Sequence, residues 1–233
     1  MRTIFFPHND VTGGLPTDQA LDFYISYREQ DKGYSDKDIA SRLAGALQKA
    51  TGADGERVSV FAPDGEKWET RLTYGLKPAR NILLIVSQGG LRGIQEAHRS
   101  EDTLLLEMEY ALAEKLKGNK KVMLLLAKDK GGSNFSHFAT DAFPGGEVAK
   151  IAQPPCHKSK LSAKLWDNGA KGDLLFKERK PGEHSIRDTM DELFRLNGRN
   201  ISASSKDVKV VVPEIIAMLQ VPAACCLLLR CRA

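Results

Sequence analysis

The chain has 233 residues, of which 42% are hydrophobic and 27% charged, and its formal net charge is +4. These values are typical of a globular protein, exclude wholesale disorder, and suit one α/β domain with appendages. Because the small positive charge is dispersed and forms no basic face, no nucleic-acid partner is expected.

Cysteine placement and the apolar segments predict the compartment. Cys225, Cys226 and Cys231 crowd the end of the chain, whereas a secreted disulfide scaffold would spread its cysteines. The apolar run before Pro7 is too short for a signal peptide, and no segment reaches the roughly 20 apolar residues that span a bilayer. We therefore expect a cytoplasmic protein without a transmembrane segment.

The first predicted elements are a strand, a charged loop and a helix. Residues 1–18 mix Gly and Pro with polar residues and are predicted to form an N-terminal arm. From Leu21, the sequence LDFYISY alternates with the period of a strand, and a helix is predicted over about 35–50 by its acidic start and apolar spacing. The loop between them lies at the carboxyl end of the strand, where open α/β sheets bind ligands.

Three further strands are predicted. Residues 57–62 alternate, whereas residues 81–87 (NILLIVS) and 121–128 (KVMLLLAK) are continuous apolar runs, typical of strands buried on both faces of a parallel sheet. An amphipathic segment around Trp68 and a helix over about 102–117 separate these strands. Alternation of strands and helices without hairpin signals favours a doubly wound parallel sheet.

Beyond residue 128, the alternation of predicted strands and helices becomes less regular. Residues 128–186 are predicted to be an irregular, extended loop region, and Pro213 predicts that the last helix starts late or is kinked. The apolar, Cys-rich tail over 221–233 is expected to be unstructured or weakly packed, with lipidation of its cysteines as the alternative. The remaining predicted elements are an edge strand near Trp166 and 174–176 and helices over 184–196 and 208–219.

The predicted helix over 102–117 carries two candidate catalytic residues. At about 100° per residue, Glu107 and Glu109 fall on opposite flanks of the apolar stripe. Each carboxylate is expected to be half-buried at the sheet edge or solvated, and periodicity alone does not choose between them. The stripe consists of Leu104, Leu105, Met108, Ala111 and Leu112.

Two other motifs do not indicate a site. Gly89, Gly90 and Gly93 do not form a phosphate-binding signature, because no Gly-x-Gly-x-x-Gly or Gly-Lys-Ser/Thr follows a strand here. Cys156 and His157 lack a second pair at zinc-ligand spacing, so no metal is expected.

The stretch DFYISYREQD resembles the first signature of Toll/interleukin-1 receptor/resistance (TIR) domains. The similarity continues through KWETRLTYGLKPARNILLIVSQGGL and EDTLLLEMEYAL, and it covers residues 20–128 best. The resemblance implies a TIR domain over residues 19–220. Its expected fold is a flavodoxin-like, doubly wound parallel sheet of about five strands flanked by helices.

The branch that the chain most resembles comprises the animal axon-degeneration and bacterial or plant defence TIR enzymes that cleave NAD+. In that branch a glutamate followed by a hydrophobic residue, and then by Ala-Leu four residues on, is catalytic; Glu107 occupies this position and Glu109 does not. The resemblance implies NAD+ as substrate, no cofactor, and cleavage to nicotinamide and ADP-ribose or a cyclic ADP-ribose isomer. It also implies self-association through TIR-TIR contacts, in defence or cell-death signalling.

Position and resemblance together name five substrate-binding candidates. Tyr27 and Arg28 lie at the carboxyl end of the first strand, where Arg can pair with a phosphate and Tyr can pack on a ring. Trp68 matches the family's aromatic position and either stacks on nicotinamide or adenine or packs in the core. Ser87, at the end of the third strand, can bond the ligand, and Asp64 stands in for the loop acid.

The sequence differs from these enzymes at two places, and these differences motivate alternatives to an enzymatic function. The loop over 62–68 is shorter than in the closest enzymes, and Thr103 stands where they often have Trp. A non-catalytic TIR adaptor that acts by TIR-TIR assembly is therefore the alternative. A nucleotide-binding, flavodoxin-like domain of another kind is a third interpretation.

Overall fold

The computed structural model describes nine parts of the chain, and the statements below concern these parts alone. The predicted N-terminal arm, nearly all of the irregular region, the candidate edge strand near Trp166 and the Cys-rich tail lie outside them. The described residues are 20–28, 36–52, 55–67, 70–87, 90, 94, 102–127, 186–196 and 198–220.

Five strands form one parallel sheet, in the order β2-β1-β3-β4-β5. This order, with its reversal between β1 and β3, is that of flavodoxin-like folds, so the predicted fold class is confirmed. The strands are β1 (Leu21–Ser26), β2 (Val60–Phe61), β3 (Ala79–Val86), β4 (Lys121–Ala127) and β5 (Arg199–Ile201).

Helices cover both faces of the sheet. Successive residues of β1 point to opposite faces, so Tyr24 packs in one apolar cluster with α2 and α3, whereas Phe23 and Ile25 pack in another with α1 and α4. The helices are α1 (Asp36–Leu47), α2 (Thr103–Leu116), α3 (Ile186–Phe194) and α4 (Ser205–Gln220), and a short π-helix spans Arg71–Leu76. Within the described ranges, no helix is long and apolar enough to cross a membrane.

Two elements differ from the sequence prediction. The helix α4 starts earlier than predicted, because Ser204 Oγ accepts a hydrogen bond of 3.1 Å from the Asp207 backbone N–H and caps the first turn. Pro213 lies inside α4 at an exposed position, where water can satisfy the carbonyl that loses its donor. The strand β5 was not predicted, because only Ile201 of its three residues is buried and no alternation develops.

Candidate active site

The helix α2 brings two glutamates into the protein interior. Asp102 caps its first turn by accepting a hydrogen bond of 2.9 Å from the Leu105 backbone N–H. Both Glu107 and Glu109 are 0% exposed, so the expectation that they are half-buried or solvated is wrong. The reason is that both flanks of the apolar stripe are covered. Tyr24 and Arg71 lie against Glu107 on one flank, and α3 lies against Glu109 on the other, where Thr189 Oγ1 donates to Glu109 Oε1 at 3.4 Å.

Glu107 is held by residues from two other elements. Tyr24 on β1 donates its hydroxyl to Glu107 Oε1 at 2.8 Å, which is an optimal length for such a bond. Arg71, the first residue of the π-helix, donates from Nη1 to the same oxygen at 3.3 Å. The Arg71 Nε also donates to the Glu66 carbonyl oxygen at 2.8 Å, so one guanidinium bonds both the buried carboxylate and the backbone before the π-helix.

The position of Tyr24 is fixed by close packing on both sides of its ring. The ring stacks on Phe61, with ring centroids 5.7 Å apart and an angle of 12° between the planes. On another side lies Gly75, where a Cβ atom would approach Tyr24 Cε2 to 2.5 Å. Only glycine therefore fits at position 75 without displacing the donor of Glu107.

Burial controls the ionisation of Glu107. Loss of hydration raises the pKa of this carboxyl from 4.5 to about 7, and the Ser26 hydroxyl, Arg71 and Tyr24 oppose that rise. A carboxyl with this pKa is partly ionised at neutral pH. Strongly perturbed carboxyls of this kind concentrate at functional sites.

Two buried oxygen atoms beside this cluster are poorly satisfied. Ser26 Oγ lies near enough to Glu107 to lower its pKa, yet Ser26 Oγ and Glu107 Oε2 make no hydrogen bond of good geometry within the described part of the chain. An unsatisfied buried polar group costs about 1–3 kcal/mol. Such groups require an explanation, and capacity to bond a ligand is one.

Arg28 is engaged with the first turn of α2. Its Nη1 lies 2.7 Å from Asp102 Oδ2, and its Nη2 donates to the Gly90 carbonyl oxygen at 3.0 Å. Its Nε has no hydrogen-bond partner among the described residues, and 19% of the side chain is exposed. Arg28 therefore lies at the N-terminus of α2 on the carboxyl edge of the sheet, and its role as a phosphate ligand stays a prediction.

Ser87, Tyr27 and Asp64 make other contacts. Ser87 Oγ donates to Asp36 Oδ2 at 2.7 Å and accepts from the Gly90 backbone N–H at 2.9 Å, so it ties the turn after β3 to α1. The buried Tyr27 donates its hydroxyl to the Pro63 carbonyl oxygen. Asp64 pairs with Lys37 at 2.6 Å, and about half of each of these side chains is exposed.

Among the sequence-predicted residues that the structure describes, Arg28, Ser87 and Asp64 bond to groups other than Glu107. The contacts of Glu107 come instead from Tyr24, Ser26 and Arg71, none of which the sequence analysis named. A signal for Tyr24 does exist, because a tyrosine inside an apolar strand needs a buried partner for its hydroxyl. Trp68 lies outside the described residues, and within them no group of three or more His, Cys, Asp or Glu side chains can hold a metal ion.

Comparison with known proteins adds no family assignment. No protein-family model matches the chain, and no curated protein matches it.

Proposed function

We propose that the chain is a TIR-type NAD+ nucleosidase that cleaves the bond between nicotinamide and ribose, with Glu107 as its catalytic residue. The observation that carries the proposal is the environment of Glu107, which is 0% exposed, has a pKa of about 7 and retains an unsatisfied oxygen. Glutamate is almost never fully buried unless it is paired, and burying it costs stability. Function is the usual reason for keeping such a group.

The reaction requires a negative charge beside the ribose. Nicotinamide leaves as a neutral molecule, and positive charge spreads over the ribose as it does in glycoside cleavage. A carboxylate can stabilise this charge or accept a proton from the attacking water. In the water-poor surroundings of Glu107, such electrostatic stabilisation is stronger than in bulk water.

Arg28 supports binding of the diphosphate part of the substrate. It lies at the N-terminus of α2, where the helix dipole and free backbone N–H groups favour an anion. Because Arg28 is paired with Asp102, a phosphate has to compete with this carboxylate for the guanidinium. The TIR resemblance adds three further parts to the proposal. The products are nicotinamide and ADP-ribose or a cyclic isomer, the chain self-associates, and it acts in the cytoplasm.

The test is release of nicotinamide from NAD+ by the purified full chain, at concentrations where self-association is confirmed. The variant Glu107→Gln should release none, whereas the wild type and Glu109→Gln should both release it. Glu109 is a matched control because it is equally buried on the same helix. If no assembled form releases nicotinamide, the enzymatic proposal is wrong.

One observation favours the second candidate, a TIR adaptor without catalytic activity. Glu107 is 0% exposed and is covered by Arg71, so a substrate cannot touch it in the described arrangement. An adaptor would assemble equally well as wild type and as Glu107→Gln, and neither form would release nicotinamide.

A further inference from the structure

A ligand can reach Glu107 only if one of its neighbours moves. Among the described residues, three side chains approach this carboxyl: Tyr24, Ser26 and Arg71. Their packing decides which of them can be displaced at the lowest cost.

Tyr24 and Ser26 are held by the sheet. Both are 0% exposed and belong to β1, whose backbone pairs with β2 and β3. The Tyr24 ring is confined between Phe61 and the position of Gly75, and the short, buried Ser26 side chain can only rotate its hydroxyl within the core. Neither residue can leave Glu107 without disrupting the core.

Arg71 is held much less firmly. Its distance of 3.3 Å from Glu107 is longer than the 2.7–2.9 Å of strong charge-assisted bonds, and it is the only one of the three side chains that reaches solvent. It is attached to a long, flexible stem on a π-helix, a rare element that is often found at functional sites. Swinging out breaks this long contact and also the bond of 2.8 Å to the Glu66 carbonyl oxygen, and neither bond is part of the sheet.

We propose that Arg71 is a displaceable occupant of the cation-binding position beside Glu107, and that the cationic ring of a ligand takes its place. The ring chemistry rests on the proposed function, because oxidised nicotinamide carries a positive charge and the reduced form does not. Exchanging one cation for another keeps the buried carboxylate paired throughout, which avoids the large cost of leaving it bare. The described arrangement is then the ligand-free, self-inhibited form of the site.

The proposal predicts that removal of the Arg71 charge improves binding of a cationic ring. The probes are carba-NAD+, a non-cleavable analogue that keeps the cationic ring, and NADH, whose ring is neutral, with binding to the full chain measured by calorimetry. Because Arg71 lowers the pKa of Glu107, its removal raises this pKa further, so binding is compared at alkaline pH, where the Glu107 carboxylate is ionised in both proteins. There we expect Arg71→Gln to bind carba-NAD+ about fivefold more tightly, as the loss of one competing ion pair implies, and NADH to bind as it does to wild type. Arg71→Lys should resemble wild type.

The matched control is Arg80→Gln. Arg80 is 64% exposed at the start of β3 and pairs with Asp22 at 3.6 Å, so the same substitution there removes one positive charge away from Glu107. This control should leave both affinities unchanged. An equal gain for Arg80→Gln, or weaker binding of carba-NAD+ to Arg71→Gln, would overturn the proposal and assign Arg71 to positioning Glu107.

If Arg71→Gln does not fold, NMR of the wild-type protein tests whether a ligand displaces Arg71. The Arg71 Nε–H bond to the Glu66 carbonyl oxygen slows exchange of this proton with water, so its nitrogen resonance reports whether the side chain stays in place. Carba-NAD+ should accelerate the exchange, and NADH should not. Unchanged exchange at saturating carba-NAD+ would show that Arg71 is not displaced.

These measurements separate the inference from the proposed reaction. If assembled wild type releases no nicotinamide but Arg71→Gln binds carba-NAD+ more tightly, the site binds the ligand without cleaving it. The inference that Arg71 is displaceable is then supported, and the proposed reaction is wrong. If nicotinamide is released but Arg71→Gln binds carba-NAD+ no better than wild type, the reaction stands and the inference is wrong.

Discussion

Replacing Glu107 with glutamine should stabilise the fold above neutral pH while it removes the proposed activity. Glutamine preserves the size of the side chain and an oxygen that can accept from Tyr24 and Arg71. What the substitution removes is the ability to carry a buried negative charge. A variant that is more stable and inactive is the expected signature of a residue kept for function.

The magnitude follows from the pKa of Glu107, which is 4.5 in an ordinary environment and about 7 in the folded protein. The folded state therefore binds the proton more tightly than the unfolded chain between these two values, and the free energy of unfolding falls as pH rises through that range. At 1.36 kcal/mol per pH unit, the contribution present below pH 4.5 and lost above pH 7 is about 3 kcal/mol. This is an upper bound for Glu107→Gln, because glutamine also loses the ion pair with Arg71.

The assay is urea denaturation at pH 5 and pH 8. The free energy of unfolding should fall less between these values in Glu107→Gln than in wild type, and the variant should be the more stable protein at pH 8. Glu109→Gln controls for replacing any buried carboxyl on α2. If Glu107→Gln keeps the wild-type pH dependence, the reasoning from burial is refuted.

Three further variants test separate parts of the structure. Tyr24→Phe removes a donor that lowers the pKa of Glu107, so the acid limb of the pH profile of nicotinamide release should move to higher pH, and an unchanged profile would contradict this role. Gly75→Ala puts a methyl group 2.5 Å from the Tyr24 ring and should destabilise the protein by about 1–3 kcal/mol in thermal unfolding; a neutral result would show that the ring yields easily. Asp64→Asn breaks the half-exposed pair with Lys37 and should change the free energy of unfolding by less than about 1 kcal/mol, so a larger loss would mean that the loop is anchored through Asp64.

The sheet could be predicted largely because its central strands have simple sequences. The runs that became β3 and β4 are apolar without interruption, and strands that are buried on both faces require such runs. The alternation over 57–62 predicted β2, which the structure forms over Val60–Phe61, whereas β5 gave no such signal because only one of its three residues is buried. The π-helix was also beyond prediction, because the sequence around Leu72 indicates only an amphipathic segment.

The site was less predictable than the sheet because its contacts are distant in sequence. The hydrogen bond between Tyr24 and Glu107 spans 83 positions, and the bond between Arg71 and Glu107 spans 36. Helical periodicity describes only one helix and its apolar stripe, so it could not show that Tyr24 on β1 and Arg71 on the π-helix cover Glu107. The burial of Glu107 is thus a tertiary property, and it is this burial that changes its ionisation.

The two buried glutamates of α2 differ in their polar neighbours. Both are 0% exposed; Glu107 accepts from the Tyr24 hydroxyl and pairs with the Arg71 guanidinium, and Glu109 accepts from the Thr189 hydroxyl at the interface with α3. Each of the two also keeps one buried oxygen without a good hydrogen bond, so that feature does not distinguish them. What distinguishes Glu107 among the described residues is its buried ion pair with Arg71, at a position where apolar residues often pack at lower cost. The free energy lost by burying this charge is therefore best explained by a ligand that replaces Arg71.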